Sequence, residues 1–262
     1  MVAQPENLIG DGVIGIMMEE LSKESYTFAL LAMIENVFIR GMMEGCTPEQ
    51  IKKYVVPTMK GEKLLALALN EAPGALFFDG YSTKAVRDGD NWIINGNKCF
   101  ITLGDVTDYY IVIARTGEPV NPLTGEGLVS FIVPADAEGI SVGHIEKKVG
   151  WKGSHTGTVY FENVKVSDAD RTLAPLFVVG ANFMGALYAA CDLGGAEKCI
   201  ELTAAFLKGR IQEGGLSVWD AHESIRNKVA ELEVKVRVLK MAVYSFLQDF
   251  SNGEPNFVGT RI

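Results

Sequence analysis

Three short segments of the sequence bring together aromatic, amide and hydroxyl side chains. An aromatic ring beside a hydroxyl donor can line a flat cofactor, and hydroxyl groups can bind the phosphate or amide groups of a ligand. Each segment alone is ordinary for a turn between strands, so the order and spacing of the three carry the information. The segments are LALNEAPG at Leu67–Gly74, NGNKCFIT at Asn95–Thr102 and VGWKGSHTG at Val149–Gly157.

The sequence does not support the other common catalytic or ligand-binding motifs. Gly10–Gly15 matches GxGxxG, but no buried strand precedes it and no strand–helix alternation follows, so we interpret it as a glycine-rich lead into a helix. His222-Glu223 has Arg226 where an HExxH zinc helix would have its second histidine. The sequence has no GxSxG elbow and no P-loop motif. The cysteines form no CxxC pair, so we predict neither a disulfide framework nor a metal site.

The composition excludes several classes of protein. The 262 residues include 24 Lys+Arg against 33 Asp+Glu, a net charge of −9, and 48% are hydrophobic. These values indicate a globular chain and disfavour nucleic acid as a partner. The longest apolar stretch, Phe177–Cys191, is interrupted by Asn182 and too short to cross a bilayer, so we predict no membrane span. Met1–Asn7 lacks the features of a secretory signal or a transit peptide, so we expect the cytoplasm.

Helices are predicted in the first part of the chain. Met17–Gly45 is rich in Leu, Ile, Met and Ala and predicts two helices. Thr47, Pro48 and Gln50 form a capping-box pattern that starts a further short helix. We expect this helix to end before Pro57, because proline disrupts a helix interior.

The middle of the sequence is typical of a β-rich domain. Short runs of β-branched and aromatic residues start at about Leu64 and are broken by Gly, Asn and Asp. Asp88–Asn91 and Asn95-Gly96 predict two tight hairpins in succession. The predicted strands are Thr83–Arg87, Trp92–Ile94, Lys98–Thr102, Tyr109–Ala114, Leu128–Val133, Ile140–Val142, Thr158–Phe161 and Val164–Val166.

The helical sequence after Asp170 contains a heptad seam of apolar side chains. Leaving such a seam in water would lose on the order of 10 kcal/mol, so it requires an apolar partner that two helices alone cannot supply. We therefore predict a helical bundle that is incomplete, and place domains at residues 1–66, 67–170 and 171–262. The seam residues are Ile225, Val229, Leu232, Val236, Leu239, Val243 and Phe246.

The three segments, in this order, resemble the acyl-CoA dehydrogenase family. The family's middle domain carries ALTEPGAGSD-like, NGxKxWIT-like and GWRGSxTGxxxFExVxVP-like segments, and this chain has ALNEAPGALFFD, NGNKCFIT and GWKGSHTGTVYFENVKV. The resemblance covers nearly the whole chain. It implies an α+β fold of the acyl-CoA dehydrogenase type, with a partial N-terminal helical domain, a middle β-barrel domain and an incomplete C-terminal helical bundle.

The resemblance implies FAD as the cofactor and an acyl-CoA thioester as the substrate. A flavin requires an apolar or aromatic wall and donors at the edge of its ring, and Phe100 and Thr102 match these roles. Arg210 matches an arginine that relatives extend toward the FAD of a neighbouring subunit. The residues assigned in this way are Leu69, Asn70, Phe100, Ile101, Thr102 and Arg210 for the cofactor, and Ser154 and Thr156 for the CoA portion of the substrate.

The chain departs from the catalytic pattern of the family. Relatives keep the glutamate that removes the α-proton either near the C-terminus or just before an arginine of the helix after the β domain, and here those helix positions hold Met184 and Gly185. Phe77–Asp79 stands where the family has GSD, and Asn70 replaces the usual threonine. The catalytic base is therefore left unassigned.

Three hypotheses stay open. The first is a flavoenzyme of fatty acid metabolism that forms or reduces the α,β-double bond of an acyl-CoA, works in a homo- or hetero-oligomer and passes electrons to an electron-transferring flavoprotein. Its expected location is the cytoplasm, or the mitochondrial matrix in a eukaryote. The second is a non-catalytic companion subunit that binds flavin or is only structural. The third is a partial copy of a longer gene, since both ends stop where relatives continue.

Overall fold

The computed structural model describes residues 10–72, 81–117, 126–174 and 176–252. Two compact units divide the chain, one containing Ile34–Ala181 and the other containing Gln4–Met33 with Asn182–Ile262. We call them the β-rich unit and the helical unit. The division into domains at residues 66 and 170 stays a prediction.

The β-rich unit is built on one curled sheet of seven strands in the order β1-β4-β2-β3-β7-β6, with β5 paired to β4. β1 and β2 run parallel to β4, and the other pairs are antiparallel. The predicted α+β fold is confirmed, and its middle domain is this curled sheet. The strands are β1 Leu65–Ala68, β2 Lys84–Asp88, β3 Asn91–Thr102, β4 Tyr109–Arg115, β5 Leu128–Pro134, β6 Ile140–Ile145 and β7 Thr156–Ser167.

Strand β4 is buried on both faces, because its apolar residues alternate between two hydrophobic clusters. Ile111 and Ile113 pack with Met42 and Tyr54 of the helices on one face of the sheet. Tyr110, Val112 and Ala114 belong to the cluster on the other face, with Phe131 and Phe161. The helical segments that contribute to the first cluster are α2 Tyr26–Gly45 and a π-helical turn at Ile51–Val55. The short helix α3 Pro48–Gln50 precedes this turn, and α4 Val56–Met59 continues it.

The capping box that starts α3 is confirmed. The Thr47 hydroxyl accepts a hydrogen bond from the Gln50 amide at 3.3 Å, and the Gln50 side chain accepts one from the Thr47 amide at 3.0 Å. The expected stop before Pro57 is wrong, because α4 includes this proline in its first turn. The wider π-helical turn just before it relieves the clash between a proline ring and the carbonyl four residues earlier.

The second predicted hairpin is also wrong, because Asn95-Gly96 lies inside the long strand β3. The pairing of β3 with β7 shifts register between Ile94 and Gly96, so the dipeptide forms an irregularity of the strand and not a turn. A β-carbon added at Gly96 would lie 2.6 Å from the α-carbon of Thr83. This close approach to the backbone beside β2 is what requires glycine.

The helical unit holds its helices close together through small residues. A β-carbon added at Gly194 would lie 1.9 Å from the carbonyl oxygen of Glu19, and one at Gly15 would lie 2.4 Å from a methyl carbon of Leu247. Gly12 and Gly15 of the GxGxxG match lie inside helix α1, and of these two only Gly15 makes a close contact that requires glycine. The helices are α1 Asp11–Glu24, the first turns of α2, most of α5 Leu176–Gly209, α6 Val218–Ala221 and α7 Glu223–Ser251.

The apolar side chains of the α7 heptad seam are buried near its two ends and exposed in its middle. Val229, Val243 and Phe246 are buried, whereas Leu232 and Leu239 are 51% and 44% exposed. The described residues of the helical unit therefore leave part of the seam in water, as the sequence predicts for an incomplete bundle.

Helix α2 is the one described helix whose length and apolar composition would suffice to cross a bilayer. The buried helices of water-soluble proteins pass the same test, and several residues of α2 belong to the hydrophobic cluster against the sheet. The length and composition of this one helix are therefore only weak support for a membrane span.

Replacing Gly96 by alanine should destabilise the β-rich unit by about 2 to 3 kcal/mol, because the new methyl group would overlap the Thr83 backbone. Gly150→Ala is the matched control, since nothing lies within 4 Å of a β-carbon there, and it should change stability by less than about 0.5 kcal/mol. Chemical denaturation of both variants measures the difference. Equal midpoints for the two variants would contradict the proposed close contact.

Candidate functional site

The first two sequence segments meet at the end of strand β1. The Cys99 amide of β3 donates a hydrogen bond of 2.8 Å to the carbonyl oxygen of Asn70. The Lys98 ammonium donates one of 2.9 Å to the carbonyl oxygen of Leu69. The structure therefore places Leu69 and Asn70 beside the part of β3 that contains Phe100.

A buried ion pair ties these segments together. The Lys98 nitrogen lies 2.8 Å from a carboxylate oxygen of Glu71, and the two side chains are 0% and 3% exposed. Burial lowers the pKa of Lys98 to about 8, although the Glu71 carboxylate opposes this effect. Burial by itself would raise the pKa of Glu71, but the charge of Lys98 and the donors of Lys98, Ser82 and Thr83 outweigh it and hold the pKa low.

Phe100 has an unusual conformation beside this pair. Its φ is +56°, a left-handed geometry that costs a non-glycine residue roughly 1 to 2 kcal/mol. The pairing of β3 with β7 shifts register between Lys98 and Ile101, which forms a bulge around Phe100. The residue is 57% exposed. The fold therefore holds Phe100 in a strained backbone conformation in which this aromatic residue is exposed.

The neighbours of Phe100 complete one edge of the site. The Ile101 side chain is 1% exposed and packs in the hydrophobic core, so only its backbone is left to face a ligand. Thr102 is half-buried and lies in register with Thr156 of β7. This pairing brings the end of the second segment beside the end of the third.

The third segment borders a basic cleft of about 430 Å³. Ser154 is buried, and its carbonyl oxygen accepts a hydrogen bond from the Lys148 ammonium. The same ammonium donates to the Thr156 hydroxyl at 2.8 Å. His155 pairs with Asp105 at 2.6 Å. The cleft is lined by Ile145, Glu146, Lys147, Lys148, Lys152, Ser154 and His155, a set that suits an anionic ligand.

The remaining sequence assignments lie elsewhere. Arg210 is an exposed residue of the helical unit, with its guanidinium carbon 5.9 Å from the centroid of the Phe206 ring. Met184 and Gly185 lie on α5, also in the helical unit. Phe77–Asp79 lies outside the described residues. No group of three His, Cys, Asp or Glu side chains in the described ranges is arranged to hold a metal ion.

Glu35 is a half-buried residue of helix α2 with a carboxyl group whose pKa is raised. Burial raises it to about 7, against a hydrogen bond from the Leu65 amide. Its second oxygen is buried and has no hydrogen-bond partner among the described residues. Leu65 begins β1, about 15 Å along the strand from Asn70, so Glu35 does not touch the edge that carries Phe100.

The sequence analysis missed Glu71, Lys98, Lys148 and Glu35. Glu71 and Lys98 are letters of the quoted segments, and a lysine within a strand pattern of apolar residues is the signal that could have revealed them. Lys148 and Glu35 carry no such signal, because their environments depend on contacts distant in sequence. The residue assignments to cofactor and substrate stay predictions.

Comparison with known families agrees with this arrangement. The family model of the acyl-CoA dehydrogenase middle domain matches residues 66–164. The family model of the acyl-CoA dehydrogenase C-terminal domain matches residues 179–262. The chain belongs to the acyl-CoA dehydrogenase family. It is 31% identical over 268 residues to the probable acyl-CoA dehydrogenase FadE25 of Mycobacterium tuberculosis, an alignment that covers 96% of this chain and 66% of FadE25.

Solved structures share the fold. Butyryl-CoA dehydrogenase from Megasphaera elsdenii is 26% identical with a TM-score of 0.85, covering 93% of this chain and 64% of that one. A chain of the electron transferring flavoprotein structure from Acidaminococcus fermentans is 26% identical with a TM-score of 0.83 and the same coverage. A glutaryl-CoA dehydrogenase from Mycobacterium smegmatis in complex with FADH2 is 20% identical with a TM-score of 0.88, covering 99% and 67%. This chain therefore spans a little under two thirds of the first two of these structures.

Replacing Phe100 by asparagine should separate stability from ligand binding. Asparagine tolerates the left-handed conformation, so we expect a gain of about 0.5 to 1 kcal/mol in unfolding free energy, together with about tenfold weaker flavin binding because the aromatic wall is lost. Phe28→Asn is the matched control, since Phe28 is a phenylalanine of similar exposure, 58%, in a helix of the other unit.

Denaturation curves and titration of the apoprotein with FAD measure both effects. Phe28→Asn should bind flavin as the unsubstituted protein does. A Phe100→Asn variant that keeps full flavin affinity would show that the ring at position 100 is not part of the cofactor site.

Proposed function

We propose that this chain contributes to FAD-dependent α,β-dehydrogenation of an acyl-CoA thioester, or to the reverse reduction, as one subunit of an oligomer. The observation that carries the proposal is the strained, exposed Phe100 ring at an edge that also holds Asn70 and Thr102. FAD is the cofactor indicated by the family and by the FADH2 complex among the matched structures.

The residues of this edge fit a flavin. Phe100 offers an aromatic face, Leu69 an apolar side chain, and Asn70 and Thr102 donors and acceptors for the edge of a ring. When bound, FAD supplies the chemistry of hydride acceptance. The side chains of the chain would exclude water from the ring and hold its orientation, and Thr102 would place a hydroxyl donor where charge develops on reduction.

The basic cleft fits the phosphates of CoA. Lys147, Lys148 and Lys152 surround it, and within the cleft one acidic residue, Glu146, accompanies them. Lys148 also fixes Ser154 and Thr156, the two residues assigned to the CoA portion. Ammonium groups attract phosphate, and a local cluster of them is needed on a chain whose net charge is −9.

Removal of the α-proton requires a carboxylate that the described site does not supply. Met184 and Gly185 occupy the helix positions where relatives have the glutamate and its arginine, and Glu35 lies at the other end of β1. We propose that the base comes from outside the described residues, in the same oligomer. The matched chain from Acidaminococcus fermentans supports an electron-transferring flavoprotein as the acceptor.

A second candidate function is a companion subunit that holds flavin without catalysis. The same two residues, Met184 and Gly185, favour it, because neither can accept a proton. For either function we propose the cytoplasm as the location, or the mitochondrial matrix if the source is eukaryotic, and fatty acid metabolism as the context.

The visible absorption spectrum of the purified protein tests the proposed function. We expect a flavin band that is bleached by anaerobic addition of acyl-CoA, because the substrate hydride reduces the ring. A band that persists with every acyl-CoA would favour the companion subunit. A protein that is colourless and takes up no added FAD would contradict both functions.

Neutralising the basic cleft should weaken the binding of CoA. For the double variant Lys147→Gln/Lys152→Gln we expect about tenfold weaker binding and a shallower dependence on salt, because two ammonium groups that attract phosphate are lost. The control is Lys84→Gln/Lys165→Gln, which removes two exposed lysines of strands β2 and β7. Calorimetric titration with CoA measures both, and equal losses in the two double variants would argue for net charge alone.

A further inference from the structure

The Glu71–Lys98 pair stands directly behind the edge that carries Asn70 and Phe100. Every charged atom of the pair has a partner. The Lys98 nitrogen contacts Glu71 at 2.8 Å and the Leu69 carbonyl at 2.9 Å, and it lies 4.0 Å from the centroid of the Tyr81 ring. The pair is therefore a closed network that no ligand needs to complete.

Glu71 binds a third stretch of chain. One carboxylate oxygen accepts hydrogen bonds from the Ser82 amide at 2.6 Å and the Ser82 hydroxyl at 2.7 Å, and the other accepts one from the Thr83 amide at 3.1 Å. Thr83 is also the residue against which Gly96 of β3 packs. The pair thus joins the end of β1, the approach to β2 and the middle of β3.

The conformation of Phe100 depends on anchors on both sides. Lys98, two residues before it, is fixed by the ion pair, and Ile101, directly after it, is fixed in the hydrophobic core. Between these anchors the Cys99 amide is bonded to the Asn70 carbonyl. A strained backbone persists only where its surroundings determine it, and these contacts are the surroundings of Phe100.

We propose that Glu71 and Lys98 are positioning residues, which hold Asn70 and Phe100 in the geometry that receives the flavin. The inference rests on the proposed flavin site and adds the residues that act through its side chains. Ion pairs have directional hydrogen bonds, whereas apolar side chains of similar volume pack without fixing a register. We therefore assign to the pair the role of fixing the positions of Asn70 and Phe100, and not that of adding stability.

Two variants test this role. Lys98→Met keeps the aliphatic stem and removes the charge, but leaves Glu71 as a buried carboxylate without its cation. The double variant Glu71→Gln/Lys98→Met removes both charges, so it should recover part of the stability lost by the single variant. The positioning role predicts that neither variant recovers flavin affinity.

The first measurement is amide hydrogen exchange in the apoprotein. Exchange at Cys99, compared with amides of the β4–β5 pair, should increase at least about tenfold in both variants, because the contact with Asn70 is no longer held. The second measurement is FAD titration, in which the dissociation constant should rise about tenfold or more. Val166→Ala is the control, since it removes buried core volume from the same unit at the far end of the β3–β7 pairing, opposite Trp92.

The outcomes separate the two roles and the two proposals. A merely structural pair would behave like Val166→Ala, with lower stability but unchanged relative exchange at Cys99 and unchanged FAD affinity, and that result would overturn the proposal. Recovery of FAD affinity along with stability in the double variant would overturn it as well. If the unsubstituted protein binds no FAD, the proposed function fails, while the exchange at Cys99 still decides whether the pair positions this edge.

Discussion

The buried Glu71–Lys98 ion pair is the contact on which the edge of the β-rich unit that carries Phe100 depends. A lysine with a side chain that is 0% exposed is tolerated because a carboxylate, a carbonyl and an aromatic face surround it. The same contacts connect three stretches of chain that are separate in sequence. The exposed ring of Phe100 and the backbone of Asn70 are placed by this network, since both lie within two residues of its members.

The candidate site has two parts, a strained aromatic residue at one end and a cluster of lysines at the other. At one end a left-handed residue presents an aromatic ring, which suits a flat cofactor. At the other end, beyond Thr102 and its partner Thr156, lysines gather around a cleft. The chain as a whole is acidic, so the basic cleft is a local feature that selects for anionic groups, and a general attraction to polyanions is not expected.

In the helical unit, the contacts between helices depend on close packing at glycines and on a buried carboxylate. Gly15 and Gly194 allow helices to approach, and Glu19, which is 2% exposed at its side chain, is bonded by Lys240 and by the Tyr244 hydroxyl. Even so, Leu232 and Leu239 of α7 remain substantially exposed. The apolar periodicity of α7 thus exceeds what the described helices of this unit can bury.

Features that depend on local order follow from the amino-acid sequence alone: the helix and strand types, the capping box at Thr47, and the three ordered segments that indicate the family. The irregularity at Gly96, the passage of a helix through Pro57 and the burial of Lys98 do not follow from local order. They arise only in the folded chain, because each depends on a neighbour far along the chain, on the local helix geometry or on the register of a paired strand. From sequence alone a lysine in a strand is expected to be exposed. Lys98 is buried because the fold places the carboxylate of Glu71 and the ring of Tyr81 beside it.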